Sequence, residues 1–128
     1  MTLDSSYLAA PTSEIFWCYQ VAIVPGKLED FCSVARDIMA MSAKESGTVD
    51  FAWCLNPDNT MCHIIERYRD SEALFAHAES FGRLYTERFM AACRPTRLDI
   101  YGSPSDAAKA VLAQYKPTYF SKIAGSSR

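Results

Sequence analysis

Two side chains able to move a proton stand close together in HIIERYRDSEALFAHAESF, residues 63–81: Glu66 and His77. A carboxylate beside an imidazole fixes which ring nitrogen carries the proton and raises the basicity of the ring, as a general base requires. Whether the two meet depends on the elements between them. MCHIIERYR, 61–69, reads as a strand, and Asp70 or Ser71 can cap a helix that carries His77. With Asp70 as the corner, Glu66 lies about 13 Å back along the strand and His77 about 10 Å forward along the helix, so the two are nearly level.

On a helical wheel His77 falls with Ala73, Phe81 and Leu84, an apolar sector that turns the ring toward the sheet. Glu66 shares its strand face with Cys62, Ile64 and Tyr68. If that face looks at the helices, Glu66, Tyr68 and His77 converge; if it looks at a partner subunit, they do not. The plainer alternatives are a half-buried histidine satisfied by a backbone carbonyl, and a surface glutamate paired with Arg67 or Arg69. A metal set of His63, Glu66 and His77 is disfavoured because His63 and Glu66 have opposite strand parity, so no metal is expected. There is no GxSxG elbow, no cysteine with a histidine close in sequence, and no glycine-rich phosphate cradle.

The elements that must hold these residues follow from pattern. The chain has 128 residues, enough for one domain with its own core, and its 49% apolar and 22% charged residues are ordinary globular values. EIFWCYQVAIV, 14–24, is a strand ending at Pro25-Gly26. Leu28, Phe31, Cys32, Ala35, Ile38, Met39 and Ser42 keep helical spacing up to Gly47. TVDFAWCLN, 48–56, and the 61–69 strand form a hairpin across PDNT. Leu74, Ala78, Phe81, Tyr85 and Phe89 mark the buried face of the second helix, with Gly82 as its weak point, and PTRLDIYG, 95–102, is a fourth strand.

The order βαββαβ predicts an α+β, ferredoxin-like fold, a four-stranded antiparallel sheet with both helices on one face. The bare face predicts a homodimer. Residues 1–13 read as a loose tail without the features of a secretory signal, 14–103 as the domain, and 104–128 as a C-terminal helix and extended arm, with Ser103 placed to cap and Pro104 at the first helical position. A net charge of -2 without a basic stripe excludes nucleic acid, and no apolar run is long enough to span a membrane. Five cysteines in apolar patterns, without a CxxC pair, fit the reducing cytoplasm.

The run E-R-Y-R-D-S-E-A-L-F-A-H-A-E-S, Glu66–Ser80, resembles the E-x-[YW]-x-D-x-x-A-L-x-x-H-x-x-S pattern of the antibiotic biosynthesis monooxygenase family. The resemblance covers roughly Phe16 to Gly102, and GSPSDAAKAVLAQY before PTYFSKIAG is similar to the family's extended members. It implies a dimeric α+β barrel with one pocket per subunit between helices and sheet, and cofactor-free oxidation of a small aromatic or quinol by O2 to a quinone. A non-oxygenase ligand-binding or isomerase domain of the same fold is the alternative. Haem-degrading members use an asparagine on the first strand and a tryptophan where this chain has Tyr68, and the first strand here has no asparagine. In the quinol-type reaction His77 is the expected base with Glu66 orienting it, Tyr68 and Tyr85 anchor oxygens, and Trp53, Phe51, Phe81 and Phe89 form walls.

Overall fold

Strand β1 (Ile15–Ile23) opens the computed structural model, which describes residues 13–125, so the expected tail lies almost wholly outside the described residues. Helix α1 (Leu28–Ser42) follows, then the hairpin β2 (Thr48–Leu55) and β3 (Met61–Tyr68), helices α2 (Ser71–Leu84) and α3 (Thr86–Ala92), strand β4 (Cys93–Tyr101), helix α4 (Asp106–Leu112), a 3-10 turn at Ala113–Tyr115 and the short strand β5 (Thr118–Phe120). The sheet order is β2-β3-β1-β4-β5, antiparallel except for the parallel β4–β5 pair. This is the ferredoxin-like fold with one strand more than expected: part of the C-terminal arm adds to the free edge of β4 in its own sheet.

The helices cover one face of the sheet because the inward residues of each strand are large and apolar. On β3 the alternation is strict, with Cys62, Ile64, Glu66 and Tyr68 buried and His63, Ile65 and Arg67 exposed. Glu66 thus looks at the helices. Two clusters form the core. Phe31, Val34 and Ile38 of α1 pack with Val21, Cys62, Ile64 and Phe89. Ile15, Trp17, Tyr68, Leu98 and Ile100 pack with Leu74 of α2 and with Ala108 and Leu112 of α4. The C-terminal helix is therefore part of the core.

Three local expectations shift. The 71–92 stretch is two helices, broken at Tyr85 (φ -127°, ψ -11°) and not at Gly82. The break lets Phe81 and Phe89 both turn inward, edge to face with ring centroids 5.2 Å apart. Ser105 caps α4 in place of Ser103, its hydroxyl accepting from the Ala108 amide, because Pro104 is buried ahead of the first turn. All five cysteines are free, but only Cys62 and Cys93 are buried; Cys54 is exposed on the hairpin. Burial pushes the Cys62 and Cys93 thiols up to about 11 and about 12, so both are inert.

The opposite face of the sheet, left uncovered by the described residues, mixes apolar side chains with charged ones. Phe120 stacks on Tyr101 and Tyr101 on Phe16, with centroid separations of 5.3 and 4.6 Å, and Arg67 lies over the Phe16 ring. Arg97 lies on this side, paired with Asp99 at 2.8 Å. Among the described residues no helix is long and apolar enough to cross a membrane.

Candidate active site

The β3 register sets Glu66 directly across from Trp17 of β1 and Phe51 of β2. Asp70 caps α2, its carboxylate accepting from the Ala73 amide at 2.8 Å, and this fixes the helix phase that swings His77 back over the strand. The two meet. His77 Nε2 lies 3.0 Å from Glu66 Oε1, with both side chains about 95% buried. Glu66 is held from two further sides: the Tyr68 hydroxyl donates to Oε1 at 2.6 Å, and the Trp17 indole N–H donates to Oε2.

A third group completes the arrangement. Glu45, on the turn after α1, places Oε1 2.8 Å from His77 Nδ1, and the Ser42 hydroxyl lies 3.5 Å from the same nitrogen. With a carboxylate oxygen on each ring nitrogen, hydrogen on both nitrogens satisfies both contacts, whereas an unprotonated nitrogen would set lone pair against lone pair on an ionised acid. The ring's proton affinity agrees. Burial alone pulls it down, but the hydrogen bonds to Glu45 and Glu66 and their charges outweigh this and raise His77 from its ordinary value to about 9. At neutral pH the unit is an imidazolium between two acids.

Glu66 and His77 form one wall of a cavity of about 510 Å³, a volume that includes space open to solvent. Trp17, Glu66 and His77 line it at one side; Phe51, Trp53, Phe81 and Phe89 supply aromatic walls; Tyr19, Leu98, Leu112 and Tyr115 line the rest. The Tyr19 hydroxyl and the Trp53 indole N–H are buried without a hydrogen-bond partner among the described residues. Such groups cost free energy until an acceptor reaches them. Burial, followed by the neighbouring Tyr115 and Cys93 and then Glu66, pushes the Tyr19 phenol well up, so it stays a neutral hydroxyl.

Of the residues the sequence singles out, Glu66, His77, Trp53, Phe51, Phe81 and Phe89 come together around this cavity. Tyr68 does not line it; its hydroxyl is spent on Glu66, and burial and the Glu66 charge keep it neutral. Tyr85 is also absent from the wall and lies in a surface groove beside Asp37 and Arg83. His63 is exposed, on the other face of β3. Trp17, Tyr19 and Tyr115 escape sequence reasoning, although the alternation Ile15, Trp17, Tyr19, Val21 in β1 marks the first two as inward. Glu45 has no comparable signal, since its position depends on how a turn lies against a helix.

The four-stranded ferredoxin-like core makes this a small α+β protein, and residues 19–93 match the family model for antibiotic biosynthesis monooxygenase. The chain belongs to that family. Among solved structures it is similar to MupZ from Pseudomonas fluorescens, at 22% identity over 95% of this chain and 94% of that one, with a TM-score of 0.85. SnoaB, a cofactor-independent oxygenase from Streptomyces nogalater, shares 17% identity over 73% of this chain and 95% of its own, with a TM-score of 0.62. A conserved protein from Methanosarcina mazei Go1 is similar at 19% identity, over 76% and 94%, with a TM-score of 0.63. At these identities the likeness is one of fold. No curated protein matches the chain.

Proposed function

We propose that this protein is a cofactor-independent monooxygenase that oxidises a small aromatic substrate bearing a phenolic or quinol hydroxyl, using O2, to a quinone. The observation that carries the reading is the buried Glu66–His77–Glu45 unit at the wall of an otherwise apolar, aromatic cavity. Two carboxylates around one imidazolium leave the unit one negative charge, so it takes up a proton where it meets the cavity. The imidazolium of His77 has no lone pair with which to accept, whereas the Glu66 carboxylate keeps acceptor capacity beyond the hydrogen bonds from Tyr68, Trp17 and His77, and we therefore place the entry of that proton at Glu66, with His77 holding the carboxylate and balancing its charge. Trp53 Nε1 and the Tyr19 hydroxyl anchor the substrate oxygens, and the aromatic walls hold the ring and admit apolar O2.

The steps balance without a further reactant. Glu66 removes the phenolic proton, the electron-rich anion passes one electron to O2, and the radical pair joins at an unsubstituted ring carbon to give a peroxide anion, which takes the proton back from Glu66 as a hydroperoxide. The O–O bond then breaks; one oxygen stays on carbon, and the other leaves as water with the borrowed proton and the hydrogen from that carbon. For 1-naphthol this gives 1,4-naphthoquinone and one water per O2. Oxygen uptake with 1-naphthol tests the reading, with Glu66→Gln and His77→Ala as controls. The expected loss on Glu66→Gln is about 10²–10⁴-fold, the range for a positioned acid or base. Wild-type uptake no faster than the uncatalysed rate, or uptake unchanged in both variants, refutes it.

We also propose that two copies pair through the outer sheet face. Its support is the apolar surface of Phe16, Ile65 and Tyr101 with the edge strand β5 beside it.

A further inference from the structure

Glu45 reaches His77 because the turn carrying it lies unusually close to α2. Gly47 is buried there, and a Cβ built on it would overlap the Ala73 Cβ, so only glycine permits the approach. The turn is tied down by the Arg69 amide, which donates to the Gly47 carbonyl at 2.8 Å, and by the Glu45 amide, which donates to the Ser42 carbonyl at 3.0 Å. Exposure rises along the unit, from 4% for the Glu66 side chain and 5% for His77 to 20% for Glu45. The outer side of Glu45 lines a surface cleft whose charged groups are Lys44, Arg69, Asp70 and Glu72. The unit thus runs from the inner cavity, where Glu66 sits, to an outer cleft, where Glu45 sits.

We propose that Glu45 is a positioning residue that makes the cavity end of this unit a proton acceptor, by supplying the second negative charge on His77. The inference rests on the proposed proton transfer to Glu66. Without Glu45, Glu66 and His77 form a closed, neutral ion pair, in which the imidazolium cancels the one carboxylate that meets the substrate. With Glu45, the imidazolium is shared between two acids, and one negative charge is left over. Glu45 itself is walled off from the cavity by His77, so that charge meets a substrate only at Glu66. The titratable groups that face the ring are Glu45, Glu66 and the neutral Tyr68, whose ring centroid is 5.4 Å from that of His77; from across the cavity Tyr19 senses the Glu66 charge. The raised proton affinity of His77 agrees with two acids acting on it.

The test is Glu45→Gln, which keeps the shape and the acceptor oxygen and removes only the charge, beside Glu45→Asp, which keeps the charge. The chain has two histidines, so a His63→Gln background leaves one ring to follow by NMR titration. Glu45→Gln should lower the His77 midpoint by at least one pH unit, a tenfold loss of proton affinity, and Glu45→Asp should restore most of it. With 1-naphthol and O2, Glu45→Gln should lower kcat at least tenfold with KM within about threefold, and Glu45→Asp should recover part of the rate. A His77 midpoint unchanged in Glu45→Gln, or a fall that Glu45→Asp does not reverse, overturns the proposal. If wild-type protein consumes no O2, the oxygenase reading fails by itself, and the NMR midpoint still decides the role of Glu45.

Discussion

Raising the pH from 5.5 to 8 should weaken this fold through one residue. His77 titrates near 9 in the folded chain, above the ordinary value of about 6.5 that it regains on unfolding. The folded state therefore binds the proton more tightly, and the stability this gives is complete below about pH 6.5 and lost as pH rises through about 9. A difference of roughly 2.5 units corresponds to about 3 kcal/mol, and integrating the two titrations puts the loss between pH 5.5 and 8 at about 2 kcal/mol. The raised thiols and phenols contribute little in this window, because even at pH 8 they are largely protonated in both states. With a urea slope of about 1–3 kcal/mol/M, the unfolding midpoint should fall by about 1 M, followed by tryptophan fluorescence. In His77→Gln the midpoint should be nearly flat over the same range. A wild-type midpoint that stays constant or rises from pH 5.5 to 8 would refute the charged-ring assignment.

Gly47→Ala should cost about 1–3 kcal/mol in urea denaturation, since its methyl group must push the Glu45 turn away from Ala73, and a change under 0.5 kcal/mol would show that the approach is loose. Ile65, 41% exposed at the centre of the outer sheet face, should tolerate lysine with an unchanged far-ultraviolet spectrum, and the variant should run as a monomer by light scattering where wild type runs as a dimer. A wild-type protein that is monomeric at about 0.1 mM, or a variant that still pairs, would remove the proposed interface.

Most of the fold was legible because its signals are local. The alternation in β3, the cap at Asp70 and the spacing of α1 each follow from a few neighbouring residues, and together they put Glu66 and His77 level with one another. The break at Tyr85 was not legible. Gly82 is the weaker helix former, yet the chain turns where a partly buried Phe81 can pack on the buried Phe89, and that gain depends on strands distant in sequence. The arm joining β4 as a fifth strand depends likewise on an edge that exists only once the sheet has formed.

The site divides along the same line. Side-chain type and strand parity by themselves put an acid and an imidazole level with one another and set Glu66 on one strand face with Cys62, Ile64 and Tyr68, but left open whether that face meets the helices. Only the tertiary structure decided what that pair is. It brought Glu45 in from another turn, through a contact that one glycine permits, and so occupied the second ring nitrogen. It set Trp17 and Tyr68 on the Glu66 carboxylate, and it closed the cavity with Leu112 and Tyr115 from the C-terminal segment. A sequence pattern reports periodicity along one element, whereas the charge on a buried group depends on every element packed against it.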